Sequence, residues 1–277
     1  MVINDIYRQM CGIMQQNQNS DVRFEADCLI EFVLGKKRIE LAGCEISQQD
    51  SEKLINFAKK RQEGYPLQYI LGRWYFFDME LFVGEGVLIP RQDTETVCEA
   101  AFEVINQIAE PAVIDLCSGS GCIALAVKKY CPKASVVAVE KSNEAYKYLK
   151  DNIEKTGLQV LPVLADVLRF DDKIEQDSFD VIISNPPYID NSFKGKLQKE
   201  LEYEPDMALF AENNGLYFYR FIAHYYKKAI KEGGYLIFEY GYDQQSAVKN
   251  ILIEEGYSIV KEIIDLAENP RGVIAKR

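Results

Sequence analysis

The chain has 277 residues, a formal net charge of −11, 48% hydrophobic residues and 27% charged residues. These proportions are typical of a folded globular protein and exclude an extensively disordered chain. The acidic balance argues against a protein that grips nucleic acid along its phosphates. Such proteins carry basic clusters, and only short runs such as residues 36–38 are basic here. We therefore expect no stable nucleic-acid partner.

Other features exclude further classes of protein. The N-terminus lacks a basic region followed by an apolar stretch, and no run of 18 apolar residues occurs, so we expect a cytoplasmic protein without a membrane partner. The only histidine, His224, lies in a helical pattern and is expected to pack there. Seven cysteines form no C-x-x-C pair. A zinc site and a Ser-His-Asp or Cys-His mechanism are therefore disfavoured, and we expect no metal.

The first part of the chain predicts a small helical domain over residues 1–71. Helices are expected over residues 3–10, 23–34 and 47–61, and Ser47 is a good N-cap for the last of them. Residues 72–94 are aromatic and β-prone, bend around Asp78, and are closed by Gly84 and Gly86. They predict a β-hairpin linker between two domains.

Residues 95–277 alternate between helical and strand patterns. Strands are predicted at 112–116, 135–139, 160–164, 179–183, 234–239, 257–264 and 273–276. Helices are predicted at 94–108, 123–130, 143–156, 215–231 and 243–255. This alternation indicates a Rossmann-like α/β domain with a mostly parallel, seven-stranded sheet covered on both faces. Ligands bind such sheets at the carboxyl ends of the strands.

Candidate cofactor residues follow three successive strands. Asp115 lies at the end of the first, and a loop of small residues comes next: Cys117, Ser118, Gly119, Ser120 and Gly121. Glycines allow the backbone to turn sharply near a ligand, and the following helix N-terminus presents free N–H groups. Glu140 ends the second strand, where it can accept both hydroxyls of a ribose. Asp166 follows the third strand and can accept from an adenine amino group.

This constellation suits an adenosine-bearing cofactor. Taken singly, Glu140 or Asp166 is better explained as a solvated carboxylate at a strand end, and only the set as a whole favours a ligand site. A dinucleotide has to be considered, because Ala124 is a permitted residue at the third position of the G-x-G-x-x-G/A pattern. S-adenosylmethionine instead carries an ammonium, a ribose and an adenine, and no phosphate. Asp115 would repel a pyrophosphate but can orient an ammonium, so the set as a whole favours S-adenosylmethionine.

The fourth strand runs directly into Asn185-Pro186-Pro187-Tyr188. Such a sequence is compatible with an ordinary structural turn. It is also rich in acceptors, because Asn185 brings a side-chain carbonyl and the two prolines have no backbone N–H. A planar NH2 group can donate both hydrogens there while its plane stacks on Tyr188. The loop therefore predicts a site for an amide or amino nitrogen.

These residues resemble class I S-adenosylmethionine-dependent methyltransferases with an (N/D)-P-P-(Y/F) motif, and within them the HemK/PrmC family of release factor glutamine methyltransferases. The resemblance covers most of the chain and is carried by residues 66–72, 87–95, 115–121, 184–189, 204–209 and 265–271. Two departures stand out. The family commonly has glycine where Cys117 stands and proline where Gln92 stands.

The resemblance implies the substrate and further site residues. The substrate would be the glutamine of the Gly-Gly-Gln loop of class I peptide release factors, and the products N5-methylglutamine and S-adenosylhomocysteine. Asn185, Pro186 and Tyr188 would be catalytic, and Arg91 and Pro187 would join them in binding the substrate. Val167 and Asn185 would also contact the cofactor. We expect a monomer.

A mechanism follows from the residue types. If Asn185 and the Pro186 carbonyl hold both N–H groups of an amide, its nitrogen can pyramidalise with the lone pair aimed at the methyl group. No general base is needed, since the methylated nitrogen is acidic. Three alternatives stay open: an amino methyltransferase for adenine or guanine of DNA or RNA, an enzyme acting on a ribosomal-protein glutamine, and a non-catalytic cofactor sensor.

Overall fold

The computed structural model describes residues 1–15 and 21–277, which form two compact units. One unit contains Met1–Arg73 and Leu197–Tyr203, and the other contains Trp74–Lys196 and Glu204–Arg277. Residues 16–20 of the predicted N-terminal domain lie outside the described residues. Within the described ranges, no helix has the length and apolar character needed to span a membrane.

The first unit is built from helices. They are α1 (Ile3–Met14), α2 (Val22–Leu34), α3 (Gln48–Gln62) and α4 (Leu67–Leu71), with short 3-10 helices at Arg38–Leu41 and Lys199–Tyr203. Along α1 the residues that recur at helical spacing are fully buried: Ile3, Ile6, Met10 and Met14. Ser47 caps α3 as predicted, because its hydroxyl accepts from the Asp50 N–H at 3.0 Å.

A buried arginine connects the parts of this helical unit. Arg61 on α3 is 2% exposed, and its guanidinium donates to the two carboxylate oxygens of Glu25 on α2 at 2.9 and 2.6 Å. It also donates to Glu200 and to the Tyr65 carbonyl, both at 2.6 Å. Glu200 belongs to Leu197–Tyr203, so this contact helps to explain why that distant segment packs with the helical unit.

The second unit begins with a hairpin of β1 (Arg73–Phe76) and β2 (Met79–Phe82), of which Arg73 belongs to the first unit. The other strands are β3 (Ala112–Leu116), β4 (Ser135–Glu140), β5 (Val160–Leu164), β6 (Phe179–Ser184), β7 (Ile189–Asp190), β8 (Phe210–Ala211), β9 (Ile230–Glu239), β10 (Ser258–Ile264) and β11 (Pro270–Lys276). The helices are α5 (Gln92–Ile105), α6 (Cys122–Tyr130), α7 (Asn143–Thr156), α8 (Val167–Phe170), α9 (Asp206–Leu209), α10 (Tyr217–Tyr225) and α11 (Gln245–Glu254).

Seven of these strands form one sheet in the order β10-β11-β9-β6-β3-β4-β5. Neighbours from β9 to β5 are parallel, whereas β11 runs antiparallel to both β9 and β10. Successive strand residues face opposite sides: Ile183 packs in a cluster with α5 and α6, and Ile182 packs in a cluster with α10 and α11. The predicted α/β fold with a seven-stranded sheet covered on both faces is confirmed.

One predicted element is wrong at its end. The pattern over residues 215–231 predicts a single helix, but α10 ends at Tyr225 and β9 already begins at Ile230. The reason is a tertiary contact, because Ile230 pairs with Phe179 of β6 and this ladder outweighs the helical preference of the local sequence. Most other boundaries agree with the pattern within three residues, and those of β3 and α7 are the predicted ones.

Candidate active site

A cleft of about 920 Å³ opens at the carboxyl ends of the parallel strands. Residues that follow β3, β4, β5 and β6 all contribute to its walls, together with the start of α5 and residues of α9 and α10. Parallel strands end at one edge of the sheet, so residues far apart in sequence meet there. The cleft is therefore the place where the predicted site residues can act together.

The loop after β3 forms one wall of the cleft. Its backbone is left-handed at Cys117, Gly119 and Gly121, with φ of 64°, 55° and 85°. Glycine is required at Gly121 for a second reason, since a Cβ there would lie 2.4 Å from Leu149 Cδ1. At Cys117 the same left-handed conformation is occupied by a residue with a side chain, which costs conformational energy. Glycine at this position would carry no such cost.

Asp115 is buried beneath this loop. It is 1% exposed, and its Oδ2 accepts from the Ala124 N–H at 3.2 Å, while Oδ1 has no hydrogen-bond partner among the described residues. Burial raises the pKa of Asp115 to about 8, although the Ser118 hydroxyl and the Ala124 N–H favour the ionised form. An unpartnered carboxylate oxygen in such a place is costly and suits a cationic ligand group.

Glu140 and Asp166 contribute two further carboxylates to the walls. The Glu140 oxygens accept from the N–H groups of Gly119, Lys141 and Ser142 at 2.7–2.8 Å, which holds the carboxylate still. Each oxygen has further acceptor capacity for a hydroxyl. Asp166 caps α8 through one oxygen, and its other oxygen lies 3.0 Å from the exposed ammonium of Lys141.

Apolar residues line the part of the cleft near Asp166. Val167 is buried, and its carbonyl accepts from the Tyr226 hydroxyl at 2.7 Å. Phe218 of α10 also lies in the wall. The sequence alone gave no reason to select Phe218, because it lies among several aromatic residues of one helix. A flat apolar ligand surface can pack here.

The Asn185–Tyr188 loop is held from both ends. Before it, the Ser184 hydroxyl donates to the Leu116 carbonyl at 2.7 Å, and after it the Tyr188 carbonyl accepts from Gln244 Nε2 at 2.9 Å. A Cβ at Gly215 would lie 2.0 Å from that same carbonyl, so glycine is needed for the close approach. Asn185 Nδ2 donates to Thr94 Oγ1 at 3.4 Å. Burial raises the pKa of the Tyr188 hydroxyl well above its usual range, so it stays protonated.

Glu239 is a buried acid beside this loop that the sequence analysis did not select. It ends β9 and is 2% exposed, and its Oε2 has no partner among the described residues. Burial raises its pKa to about 7, while the side chains of Thr94 and Asn185 favour the ionised form. The available signal was an acid at a predicted strand end, the same signal that selected Glu140.

Arg91 lies in the cleft wall with its guanidinium already engaged. It donates to Glu204 Oε1, and Glu204 Oε2 accepts from the Ile89 N–H at 3.0 Å. The Glu204 side chain is 1% exposed and that of Arg91 36% exposed. Arg91 can therefore present an outward face to a ligand while Glu204 fixes its position.

Comparison with known proteins identifies the family. The family described as PrmC N-terminal domain matches residues 5–72, and the Methyltransferase small domain matches residues 95–202. A protein of Fusobacterium nucleatum named release factor glutamine methyltransferase is 36% identical over 99% of this chain and 78% of its own length. A protein of the same name from Clostridium acetobutylicum is 32% identical over 100% of this chain and 99% of its own length.

The chain belongs to the release factor glutamine methyltransferase family. This confirms the resemblance found in the sequence. Two solved structures share the fold of this chain. A methyltransferase from Pyrococcus furiosus has a TM-score of 0.52 at 19% identity over 72% of this chain and 89% of its own. The hMettl16 catalytic domain, solved with a 3′UTR hairpin, has a TM-score of 0.56 at 16% identity over 83% of this chain and 82% of its own.

Not every residue expected at the site of this methyltransferase lies in the cleft wall. The wall includes Arg91, Cys117, Ser118, Gly119, Ser120, Glu140, Asp166, Val167, Asn185 and Pro187. Four expected residues do not line it: Asp115, Gly121, Pro186 and Tyr188.

In the part of the chain that the structure describes, the cleft offers neither an activated thiol nor a metal site. Burial raises the pKa of the Cys117 and Cys122 thiols, so neither is an activated nucleophile. Among the described residues, no group of three or more His, Cys, Asp or Glu is arranged to hold a metal.

Proposed function

We propose that this protein transfers a methyl group from S-adenosylmethionine to the side-chain amide nitrogen of a glutamine. The glutamine is that of the Gly-Gly-Gln loop of class I peptide release factors, and the products are N5-methylglutamine and S-adenosylhomocysteine. The observation that carries the proposal is the position of Asn185 in a cleft whose walls also hold the Glu140 and Asp166 carboxylates. The family and the names of its full-length relatives support the substrate.

The cleft fits S-adenosylmethionine better than a phosphate-bearing cofactor. Glu140 in the cleft wall has acceptor capacity for ribose hydroxyls. Asp115 does not line the cleft itself but lies beneath the loop that forms its wall, and its unpartnered Oδ1 is suited to an ammonium that displaces part of that loop. Asp166 can accept from the adenine amino group if Lys141, whose side chain is 53% exposed, moves aside. Val167 and Phe218 offer an apolar surface for the adenine. When bound, the cofactor supplies an electrophilic methyl group on a sulfonium.

The residues of the Asn185–Tyr188 loop activate the amide by orienting it. An amide nitrogen is a poor nucleophile because its lone pair is delocalised into the carbonyl. Asn185 Oδ1 and the Pro186 carbonyl accept its two N–H groups, while Tyr188 positions the plane of the amide. Orientation of this kind can contribute roughly 7–11 kcal/mol to lowering a barrier. The acceptors also bind more strongly as positive charge grows on the nitrogen.

The N-terminal domain, residues 1–71, is the proposed recognition element for the release factor, and residues 72–94 are the proposed linker. A single glutamine side chain cannot distinguish one protein from another, so further contacts are needed. Residues 5–72 match the family model described as PrmC N-terminal domain, which supports a role for this part of the chain in the family's function. We expect the protein to act as a monomer in the cytoplasm, where peptide release takes place, without a metal and without a stable nucleic-acid partner.

One transfer assay tests the proposed function. S-adenosylmethionine with a labelled methyl group is supplied together with a class I release factor, its Gly-Gly-Asn variant, a ribosomal-protein mixture, tRNA, rRNA and DNA. We expect label in the release factor and none in its Asn variant. Label in a nucleic acid, or equal labelling of the two release factor forms, would contradict the proposal.

A further inference from the structure

A buried carboxylate with an unpartnered oxygen lies next to the proposed catalytic asparagine. Glu239 is the last residue of β9, and the preceding Phe238 pairs with Ser184 of β6, which directly precedes Asn185. Glu239 is 2% exposed and its Oε2 has no hydrogen-bond partner among the described residues. Because a buried polar atom without a partner is unfavourable, its position calls for an explanation beyond packing.

The neighbours of Glu239 suggest what it does. The side chains of Thr94 and Asn185 face its carboxylate and favour its ionised form. Asn185 Nδ2 also donates to Thr94 Oγ1 at 3.4 Å. An ionised carboxylate can only accept hydrogen bonds. The NH2 end of Asn185 is therefore drawn towards Thr94 and Glu239, and its oxygen is left for the cleft.

We propose that Glu239 is a positioning residue that holds the Asn185 side chain with its oxygen, not its NH2 group, turned towards the substrate nitrogen. The proposal rests on the proposed transfer of a methyl group to a planar NH2. An asparagine amide has two orientations that differ by a half turn and are nearly equal in shape. In the wrong orientation Asn185 would present a donor to the donor groups of the substrate. Glu239 removes that ambiguity from behind the site, without contact with the substrate.

The charge state of Glu239 decides whether this selection operates. Burial raises its pKa to about 7. Below that pH its carboxyl group carries a proton that can be donated to Asn185 Oδ1, so the preference for one orientation is lost. Six ionisable groups on other segments interact electrostatically with Glu239: Asp93, Cys98, Cys122, Tyr188, Tyr219 and Arg271. Burial raises the pKa of the cysteines and tyrosines in this set, so they stay neutral near pH 7.

The kinetic test replaces the carboxylate by its isosteric amide. Glu239→Gln can donate to Asn185 Oδ1 and so permits the wrong orientation. We expect kcat for release factor methylation to fall at least about 10-fold, with KM and cofactor affinity changed less than about 3-fold. The thermal midpoint is expected to be kept, since no volume is lost. Glu262→Gln, the same substitution on the exposed edge strand β10, is the matched control and should keep full activity.

A double-mutant cycle shows whether the effect passes through Asn185. In an Asn185→Ala background, Glu239→Gln should have no further effect on kcat, because there is no amide left to orient. An equal loss in both backgrounds, or a normal kcat for the single variant, would overturn the proposal. So would a large fall in thermal midpoint that accounts for the loss of activity.

A second measurement is independent of the substrate. The side-chain NH2 resonances of Asn185 are assigned in ¹⁵N-labelled protein by their loss in Asn185→Ala, and followed between pH 5.5 and 8.5. We expect a titration with a midpoint near 7 in the wild type, the pKa of Glu239. The same titration should be absent in Glu239→Gln. Resonances that do not titrate would refute the role of Glu239 whatever the substrate. A titration in a protein that leaves release factor unmethylated would instead refute only the proposed function.

Discussion

Removal of the Asp115 carboxylate charge is the most informative test of the cofactor site. In Asp115→Asn the side chain keeps its shape and can still accept from the Ala124 N–H, but it can no longer pair with an ammonium. Asp115 is 1% exposed and its Oδ1 is unpartnered, so a bound ammonium would meet a desolvated carboxylate. Removing one partner of such a pair typically costs about 2–5 kcal/mol. We therefore expect S-adenosylmethionine to bind Asp115→Asn at least about 30-fold more weakly at pH 7.5.

The pH dependence of S-adenosylmethionine binding gives a second quantitative prediction for Asp115. With a pKa of about 8, the ionised fraction of Asp115 in the free protein rises from about 1% at pH 6 to about 24% at pH 7.5. If the complex requires the ionised form, affinity for S-adenosylmethionine should rise roughly 20-fold over this interval. The sign is fixed by the raised pKa, because the free protein holds a proton that binding must release.

Isothermal titration calorimetry measures both effects. Titrations at pH 6.0 and 7.5, each in two buffers of different ionisation enthalpy, give the affinity and the number of protons released. The ligand's own α-amino group titrates near pH 8, so the Asp115→Asn variant supplies the baseline for its contribution. An affinity that is flat between the two pH values in the wild type, or equally steep in both proteins, would refute the ion pair with Asp115.

Three further predictions concern the loop and the helical unit. Asn185→Ala should leave cofactor binding within a few fold but lower methyl transfer roughly 100-fold or more, measured by single-turnover label transfer; near-normal turnover would contradict its role as acceptor. Tyr188→Ala should mainly raise KM for the release factor while Tyr188→Phe is mild, and equal losses in steady-state assays would point to a role for the hydroxyl instead. Arg61→Ala leaves the buried Glu25 carboxylate without its arginine partner and should destabilise the helical unit by about 3–5 kcal/mol, seen as lost hydrogen-exchange protection in the described part of residues 1–73 while 112–116 stay protected.

The sheet was predictable because its signals are local. β3 lies at Ala112–Leu116 as predicted, since a short apolar run ends there in a turn of glycines and serines. α7 is equally clear: Ser142 caps its start through the Ala145 N–H, and Gly157 ends it in a left-handed conformation. The segment after Tyr225 was not predictable in this way. Its residues prefer a helix, and only the ladder with β6 draws them into β9.

The strand-end acids could be predicted because topology alone brings them together. Once the strands are parallel, Glu140 and Asp166 must lie at one edge of the sheet. Thr94, Phe218 and Glu239 were missed for a different reason. Their roles depend on which side chain packs against which, and neither the spacing nor the composition of one sequence contains that information. Glu239 carried the strand-end signal, but its unpartnered oxygen is visible only in three dimensions.

The Asn185–Tyr188 loop does not by itself distinguish a protein glutamine from a nucleobase. A carboxamide and the exocyclic amine of adenine are both planar NH2 groups with delocalised lone pairs, so the same two acceptors can activate either. The difference lies in what each substrate brings with it. A nucleic acid brings phosphates to a chain with a net charge of −11 and a cleft lined by carboxylates, whereas a protein loop brings none. The hMettl16 catalytic domain, solved with a 3′UTR hairpin, shares this fold, so the fold alone does not decide the substrate. Substitutions at Asn185 and Glu239 should therefore change the rate of transfer, whereas substitutions in residues 1–71 should change which macromolecule is methylated.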